Sequence, residues 1–98
     1  MEQHIVTVAA ENGQTTCRPE SVLIDAGDTV QWICYTGDLV VEFNENPFTA
    51  TQQWKAARDT RTPMATVQPG LVKDTRFRPA VTIGTNAMAV SLGDLIVR

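Results

Sequence analysis

The chain is predicted to be all-β, one domain over residues 1–98, built on antiparallel strands with one buried side. Three observations predict this. First, the stretch from Cys17 to Phe43 alternates apolar and polar residues with the two-residue period of a strand. Second, Gly-Asp pairs at Gly27-Asp28 and Gly37-Asp38 cut that stretch twice; glycine tolerates positive φ and aspartate bonds its own backbone, so the chain can reverse there. Third, 98 residues make one domain, long enough to bury a core without staples.

The elements follow in order. His4 to Val8 is a short strand candidate, and Asn12-Gly13 after it is among the strongest hairpin signals. Val22 and Ile24 share one face of the next strand. Val30, Trp32 and Cys34 share the core face of another, and Leu39, Val41 and Phe43 that of a third. Pro47 ends this run, because proline cannot donate to a central ladder. Over Phe48–Arg58, Ala50, Trp54 and Ala57 recur three or four apart and Thr49 or Thr51 can cap. This predicts a short helix or helical turn near residues 49–58, with Trp54 as a lid over the core. Met64, Thr66 and Val67 form a strand up to Pro69-Gly70. Leu71 to Val81 is extended but interrupted by Pro79, which marks an edge or a bulge. Ala80–Ile83, Ala87–Val90 and Leu95–Val97 complete the set.

The segment Pro19-x-x-Val22-x-Ile24-x-Ala26-Gly27-Asp28-x-Val30-x-Trp32, with Val41-x-Phe43 and Pro47-Phe48 after it, resembles the strand-turn-strand signature of the cupredoxin family. Cys17 and Cys34 stand where that family commonly has an aromatic residue and an asparagine. The resemblance implies a small Greek-key β-sandwich of about seven or eight strands. Many cupredoxins hold copper through two His, one Cys and often a Met. The first His would fall near Leu39, and the others in the loop before the last strand. No Cys follows Cys34, the one histidine is His4, and that loop offers Thr85, Asn86, Met88 and Ser91. Copper at such a site wants imidazole and thiolate. The expectation is therefore a copperless member with no cofactor.

The charge is −3, which makes no general case for nucleic acid or an anionic membrane, and no apolar run approaches a membrane span. Charge is uneven along the chain. Residues 1–49 carry eight acidic groups and one basic, and residues 50–98 carry seven basic and three acidic. Trp54, Lys55, Arg58, Arg61, Arg76 and Arg78 are the candidate partner-binding residues, set against the plainer readings of a solvated mixed surface and a core tryptophan. Cys17 and Cys34 lack redox or zinc spacing and read as two free buried thiols, with a Cys17–Cys34 disulfide as the alternative. His4 reads as a surface residue without a metal partner. No nucleophile–base pair, phosphate loop or paired-His motif is present, so the expectation is no enzyme.

The functional expectation is a protein-binding or structural module, a subunit or adaptor that docks a protein partner or itself. The competing reading is a metal or redox protein using His4, Met88 or the two cysteines. An immunoglobulin-like sandwich is a third, disfavoured by the seventeen-residue Cys17–Cys34 separation. Without the basic and apolar regions of a secretory leader at the start, a cytoplasmic setting is expected, or an exported one if the chain has been trimmed.

Overall fold

The computed structural model describes residues 1–50, 53–84 and 88–98. Among them are eleven strands and no helix. The first five are β1 (Gln3–Glu11), β2 (Gln14–Arg18), β3 (Ser21–Ile24), β4 (Thr29–Cys34) and β5 (Leu39–Glu42). The rest are β6 (Gln53–Ala56), β7 (Ala65–Thr66), β8 (Arg76–Phe77), β9 (Ala80–Ile83), β10 (Val90–Ser91) and β11 (Asp94–Val97).

They form three sheets, with orders β2-β1-β4-β7, β10-β9-β5-β6 and β3-β11-β8. Three bends explain why eleven strands stand where seven or eight were expected. β2 runs on into β3 across the Arg18–Pro19 bond, which is cis. β8 runs on into β9 across Pro79, and β10 into β11 across Gly93 at φ +81°. Each bend moves the chain from one sheet to another, so eight continuous runs wrap one core. The break expected at Pro79 is thus a change of sheet, the role of a proline that cannot serve two ladders.

The alternation in Cys17–Phe43 places its side chains as predicted. Val30, Trp32 and Cys34 are at most 1% exposed, and Leu39, Val41 and Phe43 at most 3%. The pairing differs from a simple meander. β3, β4 and β5 belong to three different sheets. β4 pairs in parallel with β1, and β3 in parallel with β11, so the first and last strands take the positions beside the central stretch. Strands joined by a tight turn but facing each other across a core need distant segments as ladder partners.

The helix expected near residues 49–58 is not formed by the described residues there: Gln53–Ala56 is strand β6, antiparallel to β5, with Val41 opposite Trp54 and Val40 opposite Lys55. Trp54 and Ala56 face in while Gln53 and Lys55 face out, a two-residue period hidden within the three-to-four spacing of the alanines. Thr51 lies outside the described residues, as does Ala87 of the strand expected over Ala87–Val90; the described strand there is Val90–Ser91.

Four aromatic rings fill the centre. Trp32, Phe43, Phe48 and Trp54 all touch one another, with centroids from 5.0 Å (Phe48–Trp54) to 6.0 Å (Trp32–Phe48) and mostly edge-to-face geometry. Such pairs add about 0.5–1.5 kcal/mol each beyond simple area burial. A polar residue supports this cluster from the side: Thr62 is 1% exposed, its Oγ1 accepts from Trp32 N at 2.9 Å, and its own N–H donates to Trp32 O at 2.9 Å.

Candidate functional site

Three regions hold the polar chemistry. The first lies at the Asp25–Asp28 turn. Asp28 is 1% exposed, yet its carboxylate accepts from Glu2 N at 2.9 Å, Asp25 N at 2.9 Å and His4 Nε2 at 3.0 Å. Burial alone would raise its pKa. The two backbone N–H groups and the His4 ring outweigh that and hold it at about 2. Arg98 donates through Nε to Asp25 Oδ2 at 3.0 Å, and its guanidinium lies 3.7 Å from Glu2. The histidine read from sequence as a surface residue is therefore a half-buried partner of a buried carboxylate, fastening β1 to the turn before β4. A single His four residues into the chain carried no signal of this, because its partner is 24 residues away.

The second region centres on Asp94. Arg78 grips its carboxylate with Nε at 2.6 Å and Nη2 at 3.1 Å, and Arg76 adds a contact at 3.3 Å. The Arg78 hydrogen bond, opposed by burial and helped by both guanidinium charges, holds the Asp94 carboxyl below the usual carboxylate range. Arg76 and Arg78 are thus occupied in fixing the start of β11. Arg78 and Asp94 line an open groove with Thr15, Cys17, Glu20 and Ser91.

The third region is the outer side of β5 and β6 with the loop that follows. Lys55 sits beside Val40 and faces out. Arg58 donates from N to Asp38 Oδ1 at 3.0 Å and from Nε to Tyr35 O at 3.1 Å; its ion pair with Asp59 is long, at 3.9 Å. Arg61 bridges Ile33 through its backbone. Lys55 and Arg61 make no ion pair with the described residues, and Tyr35 beside Arg58 is 52% exposed. Of these cations, Arg58 is placed at Tyr35, Arg61 pairs with Ile33 beside β4, and Lys55 lies on the outer side of β5 and β6, whereas Arg76 lies on β8 in another sheet with Arg78 following it. Trp54 is no surface anchor: at 2% exposure it is spent on the aromatic core.

The cysteines are both free. Cys17 on β2 and Cys34 on β4 each lie opposite Val8, one on either side of β1. Two ladder spacings of about 4.8 Å put their backbones well beyond the roughly 7 Å that a disulfide spans. The alternative Cys17–Cys34 bridge therefore does not exist in this fold: an intervening strand, invisible in the spacing, separates two positions correctly read as interior. Burial pushes the Cys17 thiol up, and the Glu20 and Asp94 charges push the same way.

Potential metal ligands are scattered. Leu39, where the resemblance places the first histidine, is 1% exposed between Ala56 and Ile83. His4 lies beside the start of β4, whereas Leu39 follows the far end of that strand. Met88 is 88% exposed, and Thr85 and Asn86 lie outside the described residues. Among the described residues no three His, Cys, Asp or Glu side chains group as a metal site requires, and no helix is long and apolar enough to cross a membrane.

No protein-family model matches the chain, and no curated protein matches it. Solved structures do. A methionine-to-alanine mutant of amicyanin in its Cu(I) form superposes with a TM-score of 0.56 at 14% identity, covering 94% of this chain and 80% of that one. A proline-to-glycine mutant of amicyanin, also reduced Cu(I), gives 0.53 at 15% identity over the same shares. Amicyanin is a cupredoxin, and at this identity the likeness establishes the fold. The chain has a cupredoxin-like β-sandwich. Where the resemblance places the first copper histidine stands the buried Leu39, and the loop before the last strand holds neither His nor Cys, a donor set that does not fit imidazole and thiolate ligation of copper at that place.

Proposed function

We propose that this chain is a copperless cupredoxin-like module that binds a protein partner, without catalysis, as a subunit or adaptor of an assembly. The observation that carries the reading is the set of exposed cations Lys55, Arg58 and Arg61, with the half-exposed Tyr35 beside Arg58, on a chain of net charge −3. Exposed cations, two of them (Lys55 and Arg61) in no ion pair with the described residues, suit an acidic protein surface, steering encounter by charge, while Tyr35 beside Arg58 adds apolar area at contact. Nucleic acid suits them less, because the chain as a whole is acidic and the buried Trp54 offers no stacking face. Two separate buried thiols call for no oxidising compartment, in keeping with a cytoplasmic role.

The test is affinity capture of the tagged chain from its native lysate, alongside the triple variant Lys55→Glu, Arg58→Glu, Arg61→Glu. A stoichiometric partner held by the parent, released as salt rises and lost in the variant at unchanged melting temperature, is the expected result. A parent that stays monomeric and captures nothing, or a partner that the variant retains fully, would overturn the reading.

A further inference from the structure

The two long bent runs β2–β3 and β10–β11 travel side by side. They are zipped in parallel where β3 meets β11, from Ser21 opposite Asp94 to Ile24 opposite Val97. Above the Asp94 N to Glu20 O bond they part, because β2 joins the sheet of β1 while β10 joins that of β9. Both are the outer strands of their sheets. The gap between them is the groove of about 400 Å³ lined by Thr15, Cys17, Ser91 and Gly93, with the Arg78–Asp94 pair.

The ladder registers say which backbone groups face this cleft. In antiparallel pairs, alternate residues bond across and the rest point away. The two-residue Asn12-Gly13 turn makes Glu11–Gln14 a bonded pair, so Gln14, Thr16 and Arg18 turn to β1 while Thr15 and Cys17 turn outward. Ala10, opposite Thr15, confirms the phase: its N–H donates away from β2, to Thr36 Oγ1 at 3.0 Å. On the other lip, Leu92 N donates to Pro79 O, so Ser91 beside it turns its N–H and C=O away from β9. Among the described residues, no backbone partner meets Thr15, Cys17 or Ser91 on the cleft side. Val90, next to Ser91, is 40% exposed, and Met88 beyond it 88%.

Resting on the reading of this chain as a protein-binding module, we infer that the cleft is a strand-acceptor slot. Its occupant is an extended segment of a protein partner, inserted between β2 and β10, with alternate apolar side chains against Val90 and Met88. Two parallel-running edges with unmet N–H and C=O groups are the complement of an extended backbone, which bonds on both sides at once. Gly93 and the Glu20–Asp94 contact set the depth at which insertion stops.

A displayed library of random twelve-residue peptides, selected against the full chain and followed by amide exchange of the enriched peptides in complex, tests this. Expected is at least tenfold protection of the Thr15, Cys17 and Ser91 amides. Thr15→Pro removes one outward N–H and spares the β1 ladder. It is expected to weaken binding by about tenfold or more, the scale of 1.4 kcal/mol. Ser91→Pro does the same from the other lip and serves if the first variant folds poorly. Enrichment of no peptide, protection elsewhere, or binding that ignores both prolines overturns the slot. So does protection of these amides that grows with protein concentration without peptide, which would assign the cleft to a second copy. Loss of a lysate partner in the Lys55, Arg58 and Arg61 variant is a separate readout, so the slot can fail while the module reading stands.

Discussion

Asp28→Asn puts the buried carboxylate to the test. In the native state Asp28 is 1% exposed and accepts three hydrogen bonds, from Glu2 N, Asp25 N and His4 Nε2. Its pKa is held at about 2, against 3.8 for a free aspartate. At 1.36 kcal/mol per pKa unit, that difference corresponds to about 2 kcal/mol of stability. The sign follows from the direction. A depressed folded-state pKa means that the unfolded chain binds the proton first. The contribution is full above about pH 5 and is lost as pH falls through 4 toward 2. The asparagine keeps the shape but replaces Oδ2, the acceptor of both Asp25 N and His4 Nε2, or else Oδ1, the acceptor of Glu2 N. The assay is urea unfolding of the parent and variant at intervals from pH 2 to 7. The parent is expected to be more stable at pH 7 by about 2–3 kcal/mol, the scale of hydrogen bonds to a charged group. The gap should close by pH 2. Other carboxylates, Asp94 included, titrate in both proteins and cancel in the difference. A difference that stays constant from pH 2 to 7 would refute the reasoning, whatever its size.

Other substitutions probe the remaining contacts. Thr62→Val keeps volume but leaves the Trp32 N–H facing a methyl group, and about 1–3 kcal/mol of stability should disappear in urea unfolding while Thr62→Ser retains most of it. Trp54→Ala opens the aromatic cluster and should cost about 3–5 kcal/mol, with a loss of tryptophan fluorescence change on unfolding; a variant of parental stability would return Trp54 to the surface. Both thiols should resist iodoacetamide at pH 8.5 until the protein unfolds, and mild oxidant should produce no intrachain bridge; rapid native-state alkylation of Cys17, whose burial raises its pKa, would contradict its placement.

Much of the fold was legible because strand burial is a local property. The alternation of Val30, Trp32 and Cys34, and of Leu39, Val41 and Phe43, set which side of each strand faces the core, and those residues are buried. Pro79 correctly marked an edge, since β8 before it is the outer strand of its sheet, and the interruption itself is a change of sheet rather than a bulge. The stretch around Trp54 misled because its alanines carry helical spacing while its pairing partner, β5, lies elsewhere in the chain; once Val41 stands opposite Trp54, the two-residue phase wins. The polar sites were less legible. Nothing local couples His4 to Asp28, or Arg78 to Asp94, because each pair is formed by strands that meet only when the sheets close.

The sequence by itself determined an all-β chain, the inward faces of its central strands, the reversal at Gly27-Asp28, and a set of residues poor in copper ligands. Tertiary structure decided which strands pair. It placed β1 between Cys17 and Cys34 and so kept the thiols apart. It sent Trp54 inward and left Lys55, Arg58 and Arg61 outside. It also parted β2 from β10 to open the cleft. The reason is physical: a side chain's facing follows from the two-residue repeat of its own strand, whereas ladder partners are chosen by the closure of the whole core, which no stretch of residues contains.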